Sequence, residues 1–263
     1  MQNEQNYNNE LEGKIALVTG GTKGIGKAIA DKLTKSGVKV IVIARNNAEN
    51  PNKQHHFLAG DLSNAQDTNN MVKEIVDKFG KVDILVNNVG GLNSPGGGYS
   101  VLNDEHWERD LQVNLLSAVR LDRLLLPMMT EQKSGVIIHI SSTSGLVPQW
   151  EANLVYGVAK SALNTYSKTL SNEVASKGVR VMAVSPGPVK TEGMESFLEG
   201  YASNAGISVE KMTQLMMDKI GGIPMGRMAE PNEVADLVSF LVSPKAAYLT
   251  GGNYLIDGGN IPV

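Results

Sequence analysis

Cysteine is absent from this 263-residue chain, which excludes disulfides and thiolate metal sites and suits a cytoplasmic enzyme. A large charge of either sign is missing too. Lys and Arg total 24 against 27 Asp and Glu, a formal net charge of −3, so there is no electrostatic footprint for nucleic acid or an anionic membrane. No apolar run reaches the length of about 18 residues that a membrane span needs. Residues 1–10, MQNEQNYNNE, are polar, lack the apolar stretch of a signal peptide and are expected to form a disordered tail. The four histidines (His55, His56, His106, His139) show no metal-ligand spacing, and no metal is expected. His55-His56 reads as an exposed loop pair.

What is present describes a soluble globular protein with a sizeable core: 41% hydrophobic and 19% charged residues. Its 28 glycines cluster at the ends of apolar runs, as in an alternating strand–helix protein. β-Branched runs lie at 14–19, 38–44, 55–59, 82–87, 135–141, 179–185 and 253–257. Several are apolar without alternation, as strands covered on both faces should be. Helical patterns occupy 24–36, 64–79, 104–131, 153–177 and 230–242. This order predicts an α/β fold, a doubly wound parallel sheet of about seven strands with helices on both faces, in one domain over residues 11–263. Residues 46–54, NNAENPNKQ, look like a short, helix-poor crossover. Residues 190–226 form an insertion carrying Met194, Met212, Met216, Met217 and Met225, read either as a locally packed helical excursion or as a substrate lid.

The first strand runs into TGGTKGIGKAIA, where Gly20, Gly24 and Gly26 precede a helix. Glycines allow a tight turn and close approach, and the helix N-terminus offers free N–H groups to an anion. Tight strand–helix turns use glycine anyway; after the first strand of a parallel sheet the pattern points to a dinucleotide pyrophosphate. An NAD site would place an acid after the second strand, but Ala44, Arg45 and Asn46 stand there. Lys23 and Arg45 favour a 2′-phosphate, hence NADP(H) over NAD(H). The plainer alternative is two ordinary surface cations.

Tyr156 and Lys160 share one helix face in VYGVAKSAL, at i and i+4. Alone, that pair reads as an aromatic anchor and a solvated amine. The chemistry of carbonyl reduction gives it a sharper meaning: an ammonium beside a phenol would lower its pKa and help it hand a proton to the carbonyl oxygen.

TGGTKGIG, NNVG (87–90), VNL (113–115), ISS (140–142), YGVAK (156–160), SPGPV (185–189) and YLIDGG (254–259), in this order, resemble the short-chain dehydrogenase/reductases and are close in pattern to 3-oxoacyl-carrier-protein reductases. The resemblance implies a Rossmann-type fold, usually tetrameric, that interconverts alcohols and carbonyls with NAD(P)(H). It carries catalytic roles onto Asn114, Ser142, Tyr156 and Lys160, with Ser142 also touching substrate and Lys160 holding the nicotinamide ribose. Tyr156 follows Ser142 by fourteen residues, one more than is usual, so the PQWEANLV stretch is expected to hold an extra residue. Ser141, Thr143 and Ser144 are lesser alternatives for the hydroxyl. The implied cofactor shell is Gly20, Thr22, Lys23, Gly24, Ile25 and Gly26 at the turn, Arg45 beyond the second strand, Asp61 and Leu62 at the adenine, Asn88 and Gly90 at the ribose, and Pro186, Gly187, Val189 and Thr191 around the nicotinamide. Asp61, Ser63 or Asn64 could instead cap the helix starting at 64.

TEQKSG (130–135) carries one lysine balanced by Glu131, and Asn172 stands where carrier-protein reductases often have arginine, which argues against a carrier-bound substrate. Leu146, Val147 and Trp150 with the methionine-rich insertion, Met194 included, suggest an apolar or ring-containing carbonyl. Alternatives are an NAD-dependent alcohol dehydrogenase of the same family and a catalytically idle NADP-binding sensor.

Overall fold

The computed structural model describes residues 10–45 and 53–261. The tail over 1–9 and most of the 46–54 crossover therefore lie outside the described residues. Seven parallel strands form one sheet in the order β3-β2-β1-β4-β5-β6-β7. They are β1 (Ile15–Thr19), β2 (Lys39–Ala44), β3 (His56–Ala59), β4 (Ile84–Asn87), β5 (Gly135–Ile140), β6 (Val179–Pro186) and β7 (Asn253–Ile256).

The continuous apolar runs are explained by cover on both faces. Along each central strand successive side chains feed opposite layers. Ala16 and Val18 of β1 join Val42, Val86 and Val184 against α1 (Gly24–Lys35) and α8 (Pro231–Val242). Leu17 joins Ile41, Leu85 and Ile137 against α2 (Ala65–Phe79), α4 (Ser117–Glu131) and α5 (Trp150–Val174). Between β4 and α4 the chain forms α3 (Asp104–Leu111) and a π turn, Gln112–Leu116.

Local chemistry sets the ends of these elements. Asn64 caps α2 by accepting from the Gln66 and Asp67 N–H groups, and left-handed Gly80 closes it. Pro231 opens α8 behind a reciprocal Glu230–Glu233 box. The 190–226 insertion is helical: α6 (Glu192–Ala205) and α7 (Val209–Lys219).

Two histidines differ from expectation. His55 is not in an exposed loop: its ring is buried, with Nε2 3.1 Å from Thr34 Oγ1. His56 begins β3 and meets Phe79 edge-on. His139 is fully buried, its Nε2 2.9 Å from Asp122 Oδ2, while Asn87 donates to Asp122 Oδ1 at 2.8 Å. That network joins β4, β5 and α4 inside an otherwise apolar layer.

Candidate active site

The strand order reverses between β1 and β4, and open parallel sheets bind ligands beyond the carboxyl ends of strands at such a point. β1 ends there in the glycine turn. Gly20 and Gly24 have φ of +63° and +52°, in the left-handed region. A Cβ on Gly26 would lie 2.3 Å from the Gly20 carbonyl oxygen, so no side chain fits. Lys23 gives α1 no side-chain cap. A turn stripped of side chains before an uncapped helix N-terminus fits a dinucleotide pyrophosphate. One of its donors is engaged: the Gly24 N–H donates to Glu192 Oε2 at 3.2 Å. Thr22 is buried and Ile25 half-buried in this turn. Lys23 and Arg45 are exposed, and among the described residues neither has an acidic partner.

Thr19, which sequence reasoning missed, ties the turn to β4. Its Oγ1 accepts from the N–H groups of Asn88 and Val89 at 2.8 and 2.9 Å, and Asn88 Nδ2 donates back to the Thr19 carbonyl at 2.9 Å. The Asn88 side chain therefore anchors the turn rather than pointing freely to a ribose. Nothing in a lone threonine before TGG signals this long-range role.

Beyond β4, a Cβ on Gly90 would sit 3.0 Å from both Asn114 Oδ1 and Lys160 Nζ. Its missing side chain lets those two polar heads reach one spot. Asn114 lies in the π turn, a helical irregularity that often accompanies functional sites. Its Oδ1 accepts from the Gly91 N–H at 2.8 Å, and its Nδ2 donates to the carbonyls of Gly91 at 3.0 Å and Asp110 at 3.1 Å.

Ser142 leaves β5, and its Oγ accepts from the Ser144 N–H at 3.1 Å, capping a short turn. A Cβ on Gly145 would meet the Lys160 backbone carbon at 2.7 Å, so glycine lets this turn lie against α5. Asn153, inside α5, departs from helical geometry (φ −154°, ψ 40°) and donates to Ser144 Oγ at 3.0 Å. This break lies three residues before Tyr156, within the long Ser142–Tyr156 spacing.

Tyr156 and Lys160 follow one turn apart. Lys160 Nζ donates to the Ile140 carbonyl at 2.8 Å and lies 5.7 Å from the Tyr156 ring centroid. Burial holds the Lys160 ammonium down at about 8. The Tyr156 phenol is pushed up, chiefly by burial and further by the Asp110 carboxylate, with the Ser142 hydrogen bond acting in the opposite direction. This corrects the expectation that Lys160 draws the phenol down. In the protein alone, desolvation sets the direction, and Ser142 rather than Lys160 is the group that draws the phenol down.

The outer parts of the expected shell are placed unevenly. Leu62 is buried in the core at 3% exposure, so its side chain does not reach an adenine; only its backbone is available. Asp61 is not the α2 cap, which is Asn64; its Oδ1 accepts from the Ser63 N–H and hydroxyl at 2.9 and 2.8 Å. Pro186 ends β6. A Cβ on Gly187 would approach Asp257 Cβ to 3.0 Å, and Val189 is buried beside Ala229. Thr191 caps α6 by accepting from the Met194 N–H at 3.1 Å, and its methyl abuts Gly24. Met194 is half-buried, whereas Trp150 is 62% exposed, its ring laid against Gly98. The α7 end is tied to the start of α5 by Lys219–Glu151 at 2.6 Å.

A family model described as enoyl-(acyl carrier protein) reductase matches residues 20–260. The chain belongs to the short-chain dehydrogenase/reductase family. Within it, the chain is 34% identical to a 3-oxoacyl-[acyl-carrier-protein] reductase of Vibrio cholerae, over 95% of this chain and 98% of that one. It is 35% identical to a tropinone reductase homolog of Arabidopsis thaliana, over 95% and 92%. The solved structure of L-sorbose reductase from Gluconobacter frateurii, complexed with NADPH and L-sorbose, superimposes with a TM-score of 0.89 at 31% identity, covering 96% of this chain and 98% of that one. The protein is thus a Rossmann-type oxidoreductase of this family, close to the 3-oxoacyl reductase-like members.

Proposed function

We propose that this protein is an NADP(H)-dependent reductase of an apolar or ring-containing ketone, with Tyr156 as general acid. The observation that carries the reading is the convergence of Ser142, Tyr156, Lys160 and Asn114 beside the glycine turn at the strand-order reversal. When bound, the nicotinamide supplies the hydride for the carbonyl carbon. Tyr156 gives its proton to the carbonyl oxygen, and Ser142 donates a hydrogen bond to that oxygen as charge develops on it. Lys160 exchanges the Ile140 carbonyl for the nicotinamide ribose, and Asn114 holds the water path that returns a proton to Tyr156. Gly20, Thr22, Gly24, Ile25 and Gly26 cradle the pyrophosphate. Asp61, Gly90 and the backbone of Asn88 face the nucleosides, and Pro186, Gly187, Val189 and Thr191 the nicotinamide.

NADP(H) is supported by the unpaired cations at Lys23 and Arg45 and by the NADPH in the sorbose reductase complex. The apolar substrate is supported by the exposed rim of Leu92, Leu146, Val147, Trp150 and Met225, over which α6 and α7 form the lid. As in the family at large, we expect a homotetramer acting in the cytoplasm on a free small molecule.

Fluorescence titration with NADPH and NADH tests the cofactor, followed by an NADPH-driven screen of cyclic ketones, sugars and alcohols. Tight NADPH binding and turnover of ring ketones are expected. Equal affinity for NADH would show that the two cations do not face a 2′-phosphate and would favour an NAD-dependent alcohol dehydrogenase. Turnover of sugars alone would overturn the apolar pocket, and binding without any turnover would leave an idle sensor.

A further inference from the structure

A carboxylate stands at the turn that is read above as an anion site. The helical ladder of α1 starts at the Lys27 N–H, which donates to the Lys23 carbonyl at 3.2 Å. The N–H groups ahead of it are left over for another acceptor. The first turn of α1 carries no acidic residue, and Lys23 supplies no side-chain cap. The acceptor that reaches Gly24 comes from 168 residues away in the chain: Glu192 Oε2, 3.2 Å from the Gly24 nitrogen. A side-chain anion thus sits at the cradle assigned above to a pyrophosphate.

Two successive residues seat the start of α6 there. Thr191 caps α6 by accepting from the Met194 N–H, and its Cγ2 would lie 3.2 Å from a Cβ on Gly24. The same Cβ would lie 3.9 Å from Glu192 Oε2. Glu192 is exposed and forms no ion pair among the described residues. Lys27, the cation in the first turn of α1, is taken by Asp31 at 2.6 Å. The hold on Glu192 is therefore a backbone N–H and the positive end of a helix, the same interaction that a phosphate would make there.

We propose that Glu192 is an internal competitor of the cofactor: in the free protein its carboxylate takes the anion's place at the N-terminus of α1, and it must withdraw before a pyrophosphate can bind. The inference rests on the reading of the glycine turn as the cofactor cradle. One N–H group has one proton to donate, and two like charges at that separation repel each other. Cofactor entry and release of the α6 start then become one event. Glu192 lowers cofactor affinity without touching a reacting atom, which helps spent cofactor to leave. A ligand without a pyrophosphate meets no such competition.

The test reads binding and needs no substrate. Wild type, Glu192→Gln and Glu192→Ala are titrated with NADPH and with adenosine 2′-monophosphate, which carries the ribose phosphate but no pyrophosphate. Both variants are expected to bind NADPH about three- to tenfold more tightly, with binding of the monophosphate unchanged. NMR of isotope-labelled glycine amides locates the contact. The Gly24 signal should differ between wild type and Glu192→Gln in the free proteins and coincide once both are saturated with NADPH. Unchanged or weaker NADPH binding by the folded variants would overturn the proposal. So would an equal gain for both ligands, which would mark a general effect of surface charge. A Gly24 difference that persists at saturation would show that Glu192 does not withdraw, and would overturn it too. If NADPH bound to none of these proteins, the cofactor reading itself would fall and the inference with it.

Discussion

Tyr156 and Lys160 carry opposite consequences of desolvation. Desolvation raises the phenol and lowers the ammonium, so each is favoured in its neutral form. Carbonyl reduction starts from a protonated Tyr156, which burial provides. Tyr156→Phe is predicted to cut turnover by about 10²–10⁴-fold while NADPH binding, followed by fluorescence, is retained. The Lys160 proton is lost as pH rises through about 8. A pH–rate profile of reduction should therefore begin to fall near that pH, and a profile flat well beyond it would show that the Lys160 charge is dispensable. Removing Lys160 also bears on stability. Its folded value of about 8 lies below the ordinary 10.5, so below pH 8 both folded and unfolded chains hold the proton and the full cost of burying it is present. Between about 8 and 10.5 the folded protein releases the proton first, and stability rises with pH. Lys160→Met should thus be inactive yet more stable at neutral pH, by about 2 kcal/mol once the lost Ile140 hydrogen bond is set against the relieved burial. Urea unfolding at pH 7 and pH 10 checks both the sign and the shrinking difference.

Among the elements, the glycine turn and the turn after β5 hold the site by allowing close approach. Gly26→Ala would place a methyl 2.3 Å from the Gly20 oxygen, so the turn must open. Loss of NADPH binding is predicted, with the fold retained by circular dichroism. Gly145→Ala would push the Ser142 turn off the α5 backbone, and kcat should fall more than cofactor affinity does. Gly26, the seven strands and the Tyr156–Lys160 spacing were legible in the sequence, because covered strands read as unbroken apolar runs and helical neighbours recur at fixed intervals. The Asn153 break and the π turn at Asn114 were not legible, since local propensity does not encode where one helix must bend around another. Thr19 acts through a partner 69 residues away by sequence number (Asn88), and nothing near it in the chain announces it. The Leu62 expectation came from the family resemblance; its side chain is drawn into the core between sheet and α2, which leaves only its backbone for that role.

At the scale of the whole molecule, one parallel sheet places every proposed functional residue at one end of its strands. The order reversal lies at the proposed cofactor crevice, and α6 and α7, which follow β6 in the chain, are its proposed lid. The two helices are tied down by Glu192 at the Gly24 N–H and by Lys219–Glu151. Both ties are polar and exposed, so they are weak enough to open on a catalytic timescale. The proposed NADP preference also belongs here, because it rests on Lys23 and Arg45, which follow the neighbouring strands β1 and β2. Arg45→Asp is predicted to reduce NADPH affinity by at least about tenfold and to narrow the gap to NADH. Fluorescence titration of the variant reads this directly. The measurement that bears most directly on the central claim is NADPH consumption in the presence of a panel of cyclic ketones, by the wild type and by Tyr156→Phe side by side. The account predicts turnover by the wild type and its near-abolition in a variant that still binds NADPH. Equal turnover by the two proteins would contradict it.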